Sequence, residues 1–181
     1  MFRFYNKQNI KLIIGAGGTV QNGFISTDID WLDITKSWHW FRNFKRQSVK
    51  NIVAEHVFEH LTNKQLVKSL KLIYKYLQPG GRLRLAIPDK NRKDRDYVYS
   101  VMPPFDGHKT YMNIYDISKI LKKIGFEVIP LEYFDKDGIF VYNTWDDGDG
   151  IIRRSFKYDK QKSFKNGKCY YTSLIVDAIK V

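Results

Sequence analysis

Apolar residues alternate along this chain between short continuous runs and one-sided helical repeats. Residues 11–14 (Lys-Leu-Ile-Ile) form an apolar run that stops at Gly15-Ala16-Gly17-Gly18, the pattern of a buried strand ending in a glycine-rich turn. Phe24 to Asp28 and Asn51 to Ala54 read as the next two strands, the latter after the aromatic stretch Trp38 to Phe44. A helix then starts at the cap Thr62, with Gln65 at the capping-box position. Leu66, Val67, Leu70, Ile73, Tyr74 and Leu77 keep helical spacing until Pro79-Gly80-Gly81. Leu83 to Ile87 is a strand that runs on to Pro88-Asp89. A second helix spans about Ile114 to Ile124, capped by Asn113, favoured by Asp116 in its first turn and ended by Gly125. Strands follow at Glu127 to Phe134, at Ile139 to Tyr142 across Lys136-Asp137-Gly138, and at Ser173 to Lys180. Strands alternating with helices predict an α/β fold, with a mostly parallel sheet and helices on both faces. Ligands of such sheets bind at the carboxyl ends of the strands.

Length adds one constraint: 181 residues fit one domain, and no linker divides 1–181. Charge adds another. Lys and Arg number 31 against 19 Asp and Glu, a net charge of +12 that favours anionic partners. The excess concentrates in Arg153, Arg154, Lys157, Lys160, Lys162, Lys165 and Lys168, opposed in that window only by Asp159. A solvated lysine-rich loop and an acceptor-binding surface both fit this window. Aromatics reach 15%, which fits either an aromatic core or the lining of a pocket or contact surface. The single cysteine, Cys169, excludes an intrachain disulfide. The first residues lack the apolar stretch of a signal peptide, and no run approaches the ~20 apolar residues of a membrane span. A cytoplasmic location with no membrane span is therefore expected.

The chemistry-bearing residues begin at the glycines, which permit positive φ and close backbone approach to a ligand. Asp28 ends the second strand and Asp33 follows, and a carboxylate there accepts from ribose hydroxyls in dinucleotide-binding folds. Alone, the glycine spacing also fits a plain tight turn. With its neighbours, the chain resembles the class I S-adenosylmethionine-dependent methyltransferases. More narrowly, it is similar to small bacterial predicted methyltransferases (type 11-like) linked to surface-polysaccharide genes. The resemblance rests on residues 11–18 (Lys-Leu-Ile-Ile-Gly-Ala-Gly-Gly), 24–30 (Phe-Ile-Ser-Thr-Asp-Ile-Asp), 32–35, 54–61 (Ala-Glu-His-Val-Phe-Glu-His-Leu), 77–89, 107–109 (Gly-His-Lys) and 171–180. It covers nearly the whole chain.

The resemblance implies a Rossmann-like methyltransferase fold with an antiparallel final strand, and S-adenosylmethionine as cofactor. It implies that Gly15, Ala16, Gly17 and Gly18 face the cofactor's amino-acid part. Asp28, with Ile29 beside it, would hold the ribose. Asp33 and Ile34 would border adenine, and Glu55 and His56 the methionine portion. The chain departs from the family in three places: Ile13 replaces the usual acid before the glycines, Thr19 replaces the third glycine, and too few residues separate Gly18 from Phe24 for a full helix.

Residues 56–60 (His-Val-Phe-Glu-His) also match the inverted zinc-protease motif. That motif needs both histidines on one helical face, whereas Thr62 places this segment before its helix, so no metal is expected there. His108, in the connection after the fifth strand of the family fold, is the candidate base for an acceptor hydroxyl. The expected reaction moves a methyl group to an oxygen or nitrogen of a small-molecule acceptor, anionic or sugar-linked. The alternatives are a nucleic-acid methyltransferase, or a non-catalytic S-adenosylmethionine-binding or scaffold protein.

Overall fold

A computed structural model describes residue 4, residues 7–159, the backbone of residues 164–165 and 168–169, and residues 172–181. One sheet organises these residues. Its strands are β1 (Ile10–Ile14), β2 (Ile25–Ser26), β3 (Val49–Glu55), β4 (Leu77–Ile87), β5 (Phe126–Phe134), β6 (Phe140–Tyr142) and β9 (Leu174–Lys180), in the order β2-β1-β3-β4-β9-β5-β6. A separate antiparallel ribbon pairs β7 (Phe164–Lys165) with β8 (Lys168–Cys169). The helices are α1 (Ser37–Asn43), α2 (Asn63–Tyr76), α3 (Arg95–Val101) and α4 (Ile114–Ile124).

Local chemistry explains the helix boundaries. Thr62 and Gln65 form a reciprocal capping box on α2, and Asn113 and Asp116 form another on α4. Gly125 ends α4 at φ 117°, in the left-handed region. The aromatic stretch before β3 is itself helical (α1), and Asp94 caps α3, which the apolar pattern does not announce. Pro79-Gly80-Gly81 lies within the bounds of β4 as an irregularity, where pairing with β3 jumps from Val49↔Leu77 to Asn51↔Arg82.

The expected sheet needs two corrections. It is mixed: β2·β1, β1·β3 and β3·β4 are parallel, but β4·β9, β9·β5 and β5·β6 are antiparallel. The final strand is antiparallel to both neighbours, as expected. Helical cover is also uneven. Leu12, Ile14, Ile52, Ala54, Leu85 and Val176 point to one face and pack with Trp40 of α1, Leu66, Leu70 and Ile73 of α2, and Ile117 and Leu121 of α4. The alternate residues Ile13, Val53, Ala86 and Ile175 point to the other face, where Trp145 and Ile152 of an irregular segment cover them with Phe24. The physical reason is the short β1–β2 connection: no helix forms there, so the chain after β6 roofs that face.

Polar residues of the sheet hold this roof. Lys11 Nζ donates to the Gly148 carbonyl (2.8 Å), Asn51 Nδ2 to Asp149 Oδ1 (2.9 Å), and Arg84 Nη1 to the Asp146 carbonyl (2.7 Å). Arg84 and Asp177 are both buried and pair through Nε and Oδ1 at 2.8 Å, with Arg84 stacked on Trp145. Arg82 adds a bond to Asp177. No helix among the described residues is long and apolar enough to cross a membrane.

Candidate active site

The glycine turn after β1 is stapled to the exit of β2. Ala16 N donates to the Thr27 carbonyl (2.9 Å), Gly17 N to Asp28 Oδ2 (2.9 Å), and Thr19 O accepts from Ser26 Oγ (2.7 Å). Gly15, Gly17 and Gly18 have φ of 58°, 50° and 85°, a region closed to most side-chain-bearing residues. A Cβ on Gly15 would lie 2.6 Å from Val57 Cγ2, while Cβ atoms on Gly17 and Gly18 would project into open space. The loop therefore presents bare backbone.

That backbone borders a cleft of about 770 Å³ at the carboxyl ends of β1 and β3. Gly15, Ala16, Gly17, Glu55, His56 and His108, six of the residues singled out from the sequence, meet there. Arg153 and Arg154 of the basic window line it too, with Glu59, His60, Ser100 and Asp106. No Phe, Tyr or Trp is among the described lining residues; Trp40, Phe44, Phe58 and Trp145 lie buried in the two cores. Lys160 and Lys162 lie outside the described residues, and Lys165 and Lys168 are described only as backbone of the ribbon.

Gly18, Asp28, Ile29, Asp33 and Ile34 stand outside the lining. Asp28 is the immediate neighbour, exposed, holding Gly17 N through Oδ2 and Ile29 N through Oδ1 (2.8 Å). Ile29 is exposed. Asp33 Oδ1 accepts from Thr35 N (2.9 Å) and Thr35 Oγ1 (2.6 Å). Ile34 buries its side chain in the helical core, and its carbonyl accepts from Trp40 Nε1 (3.1 Å). Ile13, where the resembled methyltransferases carry an acid, is buried under the roof and borders the cleft.

Glu55 is committed to the chain itself. Its Oε2 accepts from Arg153 N (3.1 Å) and Oε1 from Arg154 N (2.7 Å), which holds the basic segment against the end of β3. Gln21 fastens the same segment by exchanging two hydrogen bonds with the Ile151 backbone. His56 follows at φ 55°, a strained conformation of the kind found at functional sites. Its Nε2 meets Ser173 Oγ at 2.8 Å, and its Nδ1 lies 2.9 Å from Glu59 Oε1. His108 is 7% exposed, and its Nδ1 lies 2.6 Å from the Val101 carbonyl. A carbonyl only accepts, so that nitrogen carries the proton and Nε2 keeps a lone pair.

Sequence reasoning passed over Glu59, His60, Gln21 and Ser173 as members of this site. Glu59 and His60 were visible inside the 56–60 motif; Gln21 and Ser173 carry no local signal, because their partners lie far away in the chain.

No protein-family model and no curated protein matches the sequence. Solved structures match its shape. The CurJ carbon methyltransferase superposes with a TM-score of 0.57 at 18% identity, over 97% of this chain and 50% of its own. The DszA carbon methyltransferase gives 0.59 at 13%, over 96% and 47%. The present chain thus spans about half the length of each. An S-adenosylmethionine-dependent methyltransferase from Archaeoglobus fulgidus gives 0.55 at 14%, over 98% of this chain and 88% of its own. The chain has a methyltransferase fold. Identities this low carry the fold alone, and the mixed sheet with its antiparallel β9 belongs to that Rossmann-like architecture. In this methyltransferase fold the cleft described above lies at the carboxyl edge of the parallel strands, where such sheets bind ligands.

Proposed function

We propose that the chain is a cytoplasmic S-adenosylmethionine-dependent methyltransferase that methylates an oxygen or nitrogen of a small acceptor, anionic or sugar-linked, in surface-polysaccharide assembly. The observation that carries this reading is the left-handed glycine loop, bare of side chains, opening on the cleft at the carboxyl edge of β1 and β3. The space over Gly17 is open, so the backbone there leaves room for close approach of the cofactor's amino-acid end. Gly15, Ala16, Gly17 and Gly18 face that end. Asp28 and Ile29 take the ribose; each Asp28 oxygen keeps a lone pair beyond its backbone bond. Asp33 and the backbone of Ile34 border adenine. Glu55 and His56 border the methionine portion. When bound, the cofactor supplies an already activated methyl group, so the protein's task is alignment, an effect of up to roughly 7–11 kcal/mol in favourable cases.

On the acceptor side, His108 Nε2 takes the hydroxyl or amine proton, and Arg153 and Arg154 attract an anionic group from the roof side of the cleft. The test is calorimetric titration with S-adenosylmethionine, followed by methyl-release assays on sugar and phosphorylated acceptors. Saturable binding is expected, weakened at least roughly tenfold, about 1.4 kcal/mol, by Asp28→Ala. Absence of binding by the folded wild type would overturn the reading.

A further inference from the structure

Glu59 is a buried carboxylate, 1% exposed, on the floor of the cleft. Neither of its oxygens accepts a hydrogen bond among the described residues. Oε1 lies 2.9 Å from His56 Nδ1, and Oε2 has no hydrogen-bond partner among the described residues. A carboxylate in such a place needs a compensating charge. Two imidazoles converge on it. His60 and His108 stand with ring centroids 4.9 Å apart and ring planes at 72°. One ligand atom from each of Glu59, His60 and His108 lies within 4.8 Å of the other two.

Hydrogen bonds that orient the two histidines beside Glu59 are also in place. The Val101 carbonyl fixes the His108 tautomer so that Nε2 offers its lone pair, the arrangement by which proteins orient a metal-binding imidazole. His56 is braced in the same way. Ser173 Oγ gives its proton to the Arg154 carbonyl (2.8 Å) and so accepts from His56 Nε2, which fixes the ring with Nδ1 2.9 Å from Glu59 Oε1.

We propose that Glu59, His60 and His108 form a binding site for one divalent transition metal, with an open coordination position facing the cleft. Two imidazoles and one carboxylate suit Zn²⁺, Co²⁺ or Ni²⁺ over the all-oxygen ions Mg²⁺ and Ca²⁺. Ligand bonds of about 2.0–2.2 Å come within reach by small side-chain rotations that draw the three donors inward. This is not the inverted zinc-protease arrangement that residues 56–60 suggest. The first histidine of that segment, His56, stands beside Glu59 outside the ligand set, and the third ligand comes from the loop before α4. The site stands independently of methyl transfer. If the chain is the proposed methyltransferase, a metal here would hold the acceptor's oxygen and lower its pKa so that its proton passes to solvent water, and His108, then a ligand, would no longer act as the base.

The test uses the tag-free full chain, stripped with chelator, dialysed and titrated with Co²⁺. Visible d–d absorption, elemental analysis and competition with Zn²⁺ are the readouts. About one Co²⁺ per chain is expected, displaced by an equal amount of Zn²⁺. His60→Gln, His108→Gln and Glu59→Gln should each weaken Co²⁺ binding at least ~tenfold. His39→Gln, on α1, should leave it unchanged. X-ray absorption of the Zn²⁺-loaded wild type, which needs no variant to fold, should find two imidazole nitrogens at the metal. Sub-stoichiometric Co²⁺ binding, a shell without imidazole, or equal losses in His39→Gln would overturn the site. Calorimetry with S-adenosylmethionine on the metal-free protein fails or succeeds separately, so the two readings remain distinguishable.

Discussion

Asp89, just past the end of β4, has no solvent exposure, and its oxygens accept from Asn91 N (2.9 Å) and Phe134 N (2.7 Å). Burial pushes its carboxyl up from 3.8 to about 6, against the pull of those two bonds and of the Arg92 guanidinium. Tyr111, whose hydroxyl reaches the Asp89 carbonyl, is pushed to about 12 by its own burial and by the Asp89 charge. A carboxyl raised on folding binds its proton more tightly in the native state. Its stabilising effect is therefore complete below about pH 3.8 and is lost as pH rises through about 6. The shift corresponds to about 3 kcal/mol. Asp89→Asn removes this titration, so the wild type's stability relative to the variant should fall by most of that amount between pH 4 and pH 7. Urea midpoints at intermediate pH values measure it; a constant difference would mean that Asp89 titrates alike in both states.

At the scale of elements, the irregular segment after β6 does the work that a helix does in an evenly covered sheet. Trp145 and Ile152 supply its apolar contacts, and Glu132 of β5 anchors it by accepting from Phe156 N (2.7 Å), Trp145 Nε1 (3.3 Å) and Thr172 Oγ1 (2.8 Å). Burial raises the Glu132 carboxyl above the usual glutamate range, and these bonds oppose the rise. Gly150 lets the segment approach the sheet: its φ is 121°, and a Cβ there would sit 2.1 Å from Val53 Cγ2. Gly150→Ala should cost about 3 kcal/mol through backbone strain and overpacking combined. Gly148→Ala, whose φ is unstrained and whose Cβ would come no nearer than 3.3 Å to Asp146 Oδ1, should stay within about 1 kcal/mol. Chemical denaturation followed by tryptophan fluorescence compares the two, and similar losses would remove Gly150 from its place as the point of close approach. Because Glu55 ties Arg153 and Arg154 to the end of β3, loosening the roof also displaces the basic side of the cleft.

For the molecule as a whole, the glycine loop, the roof and the loop before α4 meet in the one cleft just described, so a ligand there bridges elements that otherwise open separately. A ligand that binds only the folded state stabilises it by about 2.7 kcal/mol at a hundredfold excess over its Kd. For a chain of 181 residues that is worth about 5–10 °C in Tm. S-adenosylmethionine should produce such a shift in a thermal-unfolding assay, and Asp28→Ala should need at least roughly tenfold more of it for the same shift. An unchanged Tm at saturating cofactor would contradict the proposed occupancy of the glycine loop.

The sequence by itself determined what short-range forces decide. The capping boxes at Thr62–Gln65 and Asn113–Asp116, the glycine stop at Gly125, the β5–β6 hairpin and the glycine turn after β1 each depend on hydrogen bonds or backbone freedom within a few residues, and each was legible. So was the meeting of Gly15, Ala16, Gly17, Glu55, His56 and His108 at the carboxyl edge, once a resemblance placed those segments on one sheet. Only the tertiary structure decided that a loop instead of a helix covers the second face, and that the Glu55 carboxylate serves the backbone of residues 153–154. It alone brought His108 beside Glu59 and His60. These outcomes rest on contacts between residues far apart in the chain, selected by which buried surfaces and polar groups remain unsatisfied after the local elements form, and no local pattern encodes that choice.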